Sequence, residues 1–204
     1  MIDNYLQRMH VVVCQTLNEY PRLSAFRFDL RFPCYWPESD SAVITRFTES
    51  LKARIEASEA RRRRSGRRVH SSRVRFIWVK ERDSSIHWHY HVVLLLNKDA
   101  YYSFGRFEEY PEDAWLDVPK DPSAERSDCL ADLIVRAWAS ALGARPEQVA
   151  GVLNFSENGT YHVNVGSADY VQQFEALFRR ISYLAKAETK QYGDASNTFG
   201  CSRG

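Results

Sequence analysis

The run Ile86-His87-Trp88-His89-Tyr90-His91-Val92-Val93-Leu94-Leu95-Leu96 constrains this chain more than any other stretch. Its five consecutive aliphatic residues, closed by Asn97-Lys98-Asp99, are short for a helix and read as a buried β-strand. Successive side chains of a strand point to opposite faces, so His87, His89 and His91 project to one side and Trp88, Tyr90 and Val92 to the other. Burying imidazoles beside that apolar run costs free energy unless their ring nitrogens find partners. A divalent ion is one such partner, and it would gather two or three of the six histidines of the chain at one point. Hydrogen-bonded structural histidines are the plainer reading of the same residues.

The surrounding periodicities place this strand in a mixed fold. Ala25 to Phe32 alternates apolar with charged residues and stops at Pro33, as a half-buried strand does. From Ser41 to about Arg64, Val43, Ile44, Phe47, Leu51 and Ile55 mark an amphipathic helix. Val74 to Glu81 is a strand, and the turn-like Arg82-Asp83-Ser84-Ser85 should join it to the histidine strand as a hairpin. Cys129 to Leu142 is helical up to Gly143. Residues 152–156 and 161–165 alternate around Asn158-Gly159, the signature of a second hairpin. A last helix, from about Asp169 to Gln191, would pack through Val171, Phe174, Leu177, Phe178, Ile181 and Leu184. The order β-α-β-β-α-β-β-α predicts an α+β domain, a central antiparallel β-sheet of about five strands covered by helices on one side.

At 204 residues, with 44% hydrophobic and 26% charged, the chain suits one globular domain over 1–204. We expect its core over about 23–192, an acidic surface insertion at 106–126 and a flexible tail at 192–204. No stretch approaches eighteen apolar residues and no signal peptide is recognisable, which predicts a cytoplasmic protein without a membrane partner. Cys14, Cys34, Cys129 and Cys201 are scattered without a C-x-x-C pair, so neither a zinc finger nor a disulfide framework is indicated. A zinc-dependent hydrolase is disfavoured by the lack of further His or Cys at zinc-ligand spacing.

Net charge is only +2, but twelve of the 28 basic residues fall between Lys52 and Arg82. Arg61, Arg62, Arg63, Arg64, Arg67 and Arg68 would together make several phosphate contacts with nucleic acid. The alternative is a solvated helix end. On the last helix, Tyr183, Lys186 and Lys190 lie at i, i+3 and i+7, so a phenol would share a face with two cations that favour its anion. A core or interface tyrosine is the competing reading.

The residues His89 to Tyr101, Gly105, Tyr183-Leu184-Ala185-Lys186-Ala187-Glu188-Thr189-Lys190 and Phe199-Gly200-Cys201-Ser202 resemble a known family. The chain is similar to HUH endonucleases of the rolling-circle replication-initiator type, and more narrowly to the inovirus Gp2 / YagK–YfjJ group of phage and prophage proteins. Residues 25 to 32 match the first-strand motif only loosely, because charged residues interrupt it. The resemblance implies an RRM-like palm and metal-assisted nicking and rejoining of single-stranded DNA, a hairpin or origin site included. His89 and His91 would hold Mg2+ or Mn2+, and Tyr183 would attack the scissile phosphate to leave a 5′-phosphotyrosyl link and a free 3′-OH. Lys186 would orient the tyrosine or the phosphate, and Lys190 would hold the flanking backbone.

A hard ion also wants oxygen, and Glu81 is the expected third ligand, with His87 as substitute. The choice turns on hairpin register: pairing of Glu81 with His87 puts it on the histidine face, pairing with Ile86 turns it away. In a relaxase-like variant of this chemistry Tyr5, near the N-terminus, would be the nucleophile. A non-catalytic nucleic-acid-binding module is the reading from a different class. No G-x-x-x-x-G-K-[ST] motor segment occurs, so strand separation would fall to a host or partner helicase.

Overall fold

The computed structural model describes residues 3–33, 36, 40–82, 88–105, 129–185 and 198–202. The acidic stretch expected at 106–126, the turn before His89 with His87 itself, and Lys186 and Lys190 lie outside the described residues.

Apolar side chains decide the layers. The chain opens with helix α1 (Asp3–Glu19), which buries Met9, Val12, Val13 and Leu17 at helical spacing. Strand β1 (Arg22–Arg31) follows, then α2 (Val43–Arg64), β2 (Arg75–Glu81) and β3 (His89–Asn97). Helix α3 (Leu130–Leu142) ends at Gly143 in the left-handed conformation, and the short α4 (Pro146–Ala150) leads into β4 (Leu153–Asn164). Helix α5 (Tyr170–Ser182), a single 3-10 turn (Tyr183–Ala185) and β5 (Phe199–Cys201) complete the described fold. The five strands form one antiparallel sheet in the order β4-β1-β3-β2-β5.

Helices cover both faces of this sheet, not one. Phe26, Phe28 and Leu30 of β1 and Tyr90, Val92 and Leu94 of β3 join Phe47 of α2 and Trp138 of α3 in one core. Leu23, Ala25, Ile77, Val79, Val93 and Leu95 face the other way, against α1, α5 and the 3-10 turn. The alternation of β1 therefore marks two buried faces, one carrying charge at Arg27 and Asp29, rather than one dry and one wet face.

Three further expectations are corrected. The Asn158-Gly159 hairpin does not form; β4 runs through as one strand with a bulge. Phe28 pairs with Phe155 and Phe26 with Thr160, so the four residues 156–159 pass the single residue Arg27. Glycine is needed at 159 for close approach, since a Cβ there would lie 2.6 Å from the Arg27 carbonyl oxygen. The last α-helix stops at Ser182, well short of Gln191, and Val171 is exposed instead of packed. Residues 199–201, within the stretch expected as a tail, form the edge strand β5, where Gly200 lies so flat on the Trp78 indole that a Cβ would meet the ring at 2.4 Å. No helix among the described residues is long and apolar enough to cross a membrane.

Candidate metal centre

Register brings the candidate ligands together. Glu81 pairs with His89 across β2 and β3, and Asp29 pairs with His91 across β1 and β3. Paired residues of an antiparallel ladder share a face, as do residues two apart along a strand, so all four side chains emerge on the α1/α5 side. The register differs from both alternatives weighed from sequence, yet its parity puts Glu81 with the histidines.

The donor atoms converge. Nε2 of His89 stands 3.2 Å from Nε2 of His91, which in turn stands 3.4 Å from Oε2 of Glu81. One ligand atom from each of Glu81, His89 and His91 fits within 4.8 Å of the others. The 3.2 and 3.4 Å spacings match the edges of a coordination shell with bonds of about 2.1 Å. On its far side the His91 Nδ1–H donates to Asp29 Oδ1 at 2.5 Å, the carboxylate–histidine arrangement that fixes the tautomer of a metal ligand and raises its basicity. Buried Nδ1 of His89 has no hydrogen-bond partner among the described residues. The residues present therefore fit a divalent cation.

Electrostatics favour positive charge here. Burial opposes a charge on His91, but the hydrogen bonds and charges of Asp29 and Glu81 outweigh it and raise the imidazole to about 9. Burial, reinforced by His91 and Arg31, pushes His89 below its ordinary value. Burial would raise Asp29, yet the hydrogen bond and charge of His91, with Arg27, hold it below the usual carboxylate range. Without an ion, a proton on His91 supplies the positive charge between two buried carboxylates.

The two tyrosines weighed as nucleophiles lie over the same face. Tyr183 opens the 3-10 turn whose Leu184 and Ala185 sit in one apolar cluster with Val79 and Val93, the first opposite His91 and the second two residues along from it. Its own side chain is 53% exposed. Tyr5, on α1, stacks on Phe199 with ring centroids 4.1 Å apart, and its hydroxyl lies 3.3 Å from Thr198 Oγ1.

The arginine cluster is elsewhere. It ends α2, on the opposite layer, and Arg62 donates to the Tyr101 hydroxyl at 2.9 Å beyond the far end of β3. From His89 to Asn97 that strand spans roughly 26 Å. Arg63 is tied to Glu59 and Ser71, while Arg61, Arg64, Arg67 and Arg68 are exposed. Asp29 is not singled out by the sequence pattern; its one signal is that it is the only acid in a strand whose other charged residues are arginines. Arg27, Arg31 and Arg180, also near the site, were equally silent.

The sequence profile described as the YagK/YfjJ C-terminal domain matches residues 1–202. The uncharacterized protein YagK of Escherichia coli (strain K12) is 36% identical over 211 residues, covering 99% of this chain and 93% of YagK. The uncharacterized protein YfjJ of the same organism is 30% identical over 214 residues, covering 100% of this chain and 95% of YfjJ. No solved structure matches the chain.

Proposed function

The chain belongs to the YagK/YfjJ C-terminal domain family, and from that premise we propose that it is a metal-dependent enzyme that nicks and rejoins single-stranded DNA. The observation that carries the reading is the convergence of His89, His91 and Glu81 on the sheet face against which the turn of Tyr183 packs. The resemblance to HUH endonucleases, a His-hydrophobic-His strand preceding a tyrosine in the last helical segment, supports the same chemistry. A phage, prophage or other mobile element in a bacterial cytoplasm is its natural setting, with a partner helicase opening the duplex.

Each residue has a task. Glu81, His89 and His91 would hold Mg2+ or Mn2+, and Asp29 would keep the Nε2 lone pair of His91 directed at it. The bound ion supplies Lewis-acid stabilisation of charge developing on the phosphate oxygens. The Tyr183 phenolic oxygen bonds to phosphorus as the P–O3′ bond breaks; the phenol loses its proton and the departing 3′ oxygen gains one. One phosphodiester replaces another, so the 3′-OH can reverse the step without a nucleotide cofactor. Exposure of Tyr183 leaves it accessible to a strand arriving from solvent.

A second reading rests on the separation of the exposed arginines from the cluster. A binding module without chemistry would use that distant surface alone, and its salt-sensitive DNA affinity would survive loss of His89, His91 and Tyr183. The deciding experiment is intact-mass analysis after incubation with single-stranded oligonucleotides and Mn2+. The wild type and Tyr5→Phe should gain the mass of a 5′-phosphorylated fragment, and Tyr183→Phe should not. Adduct in Tyr183→Phe with none in Tyr5→Phe would move the nucleophile to α1, and no adduct in any form would favour the binding module.

A further inference from the structure

Two arginines beside the cluster have no described use. Arg27 lies on the same face of β1 as Asp29, opposite Val93, at the point where β4 bulges. Its guanidinium reaches only to 3.9 Å from Asp29, whose oxygen is already taken by His91. Arg180 sits on α5 one turn after the buried Leu177, just before the buried Ile181, and three residues before Tyr183. Among the described residues it makes no salt bridge. The Nε atoms of both arginines are buried without a hydrogen-bond partner among those residues. The two cations sense each other: burial first, then Arg180, lowers the Arg27 pKa against the pull of Asp29.

Like charges held together with unsatisfied N–H groups are unfavourable in a chain alone and favourable around an oxyanion. The fork of donors on a guanidinium matches phosphate oxygens, and it stays charged when partly buried. We propose that Arg27 and Arg180 form a phosphate clamp that seats a backbone phosphate of single-stranded DNA between β1 and α5, beside the Glu81–His89–His91 cluster. The proposal rests on the nicking reading for the identity of the polymer, but the clamp itself needs only phosphate. It gives the strand a fixed approach: one phosphate gripped by the arginines, a neighbouring one presented to the cluster and to Tyr183.

The test uses Arg27→Met, Arg180→Met and the double variant in the full chain. Fluorescence anisotropy with a labelled oligonucleotide in EDTA reads binding without metal or chemistry. Each single variant should weaken binding about tenfold or more, the double variant should add little beyond the stronger single, and Arg27→Lys should restore only part of the affinity. Without DNA, the double variant should melt no lower than wild type, because two mutually repelling, partly buried cations are gone. Wild-type affinity in the double variant would overturn the proposal. So would a lower melting temperature with unchanged DNA affinity, which marks a structural pair. Inorganic phosphate titrated in parallel separates the sources: arginine-dependent binding of free phosphate with unaltered DNA affinity would also overturn the DNA clamp. Arginine-dependent DNA binding in a protein that never forms a Mn2+-dependent adduct would uphold the clamp while removing the nicking reading.

Discussion

The two faces of β3 are built from one sequence of alternating residues, yet they do different work. Tyr90, Val92, Leu94 and Leu96 enter an aromatic-rich core with Phe28, Phe47 and Trp138, where Trp138 also donates its indole N–H to the Arg31 carbonyl at 2.9 Å. On the reverse face, Val93 and Leu95 are packed by α1 and α5, but His89 and His91 replace apolar side chains at the end of the strand. The difference teaches where a small domain can accommodate a polar site. One face carries dense, uninterrupted packing, and the other keeps its apolar half for stability and gives the two rungs at the His89 end to ionisable groups.

Substitutions on the two faces should therefore separate stability from chemistry. The largest effect expected is on activity: Tyr183→Phe should reduce adduct formation below detection while changing the unfolding free energy from urea denaturation by no more than about 0.5 kcal/mol, since the side chain is half exposed. Phe28→Ala, on the opposite face, should cost about 3–5 kcal/mol in chemical denaturation and leave metal affinity of the folded fraction unchanged. A loss of metal affinity in Phe28→Ala would break the separation of the faces.

Asp29→Asn tests the support behind the cluster. It leaves the shape intact but removes the charge that orients His91, so calorimetric Mn2+ affinity should fall about 10–100-fold. The smallest effect should be on the pH dependence of the metal-free protein. The folded pKa of His91 is raised to about 9 from 6.5, so its contribution is complete below about 6.5 and is lost as pH rises through 9. His89 is shifted downward from 6.5, so below that value the unfolded chain binds its proton more readily and stability falls with falling pH. The pair thus predicts a stability maximum near 6.5, read from urea midpoints between pH 5 and 10, while metal affinity climbs with pH as His91 gives up its proton. A midpoint that rises steadily from pH 6.5 to 9 would contradict the assignment of His91.

Sequence pattern conveyed the local elements better than their partners. The five-residue aliphatic run, the apolar spacing of α2 and the Gly143 stop of α3 each signal their element within a few residues. The spacing of Met9, Val12, Val13 and Leu17 is equally periodic, yet helix α1 has no place in the predicted order. Asn158-Gly159 misled because a wide bulge and a tight turn draw on the same small residue. Strand β5 has three residues, too few for any alternation, and its existence depends on Trp78 offering a surface to Gly200. At the site, His89 and His91 were visible because they are adjacent on one strand. Asp29 lies 62 residues before His91, and its role exists only once β1 and β3 are in register.

On the proposed reading, the polar end of this sheet face holds a divalent cation through two imidazoles and a carboxylate. Pulsed electron paramagnetic resonance of the protein with one equivalent of Mn2+ tests it directly, because directly bound imidazole nitrogen couples to the ion. We expect 14N coupling in the wild type, its weakening in either His89→Ala or His91→Ala, and its loss in the double variant, with His162→Ala, on β4 and outside the cluster, unchanged. Full coupling in the double variant, or tight Mn2+ binding by the wild type without any nitrogen coupling, would contradict it.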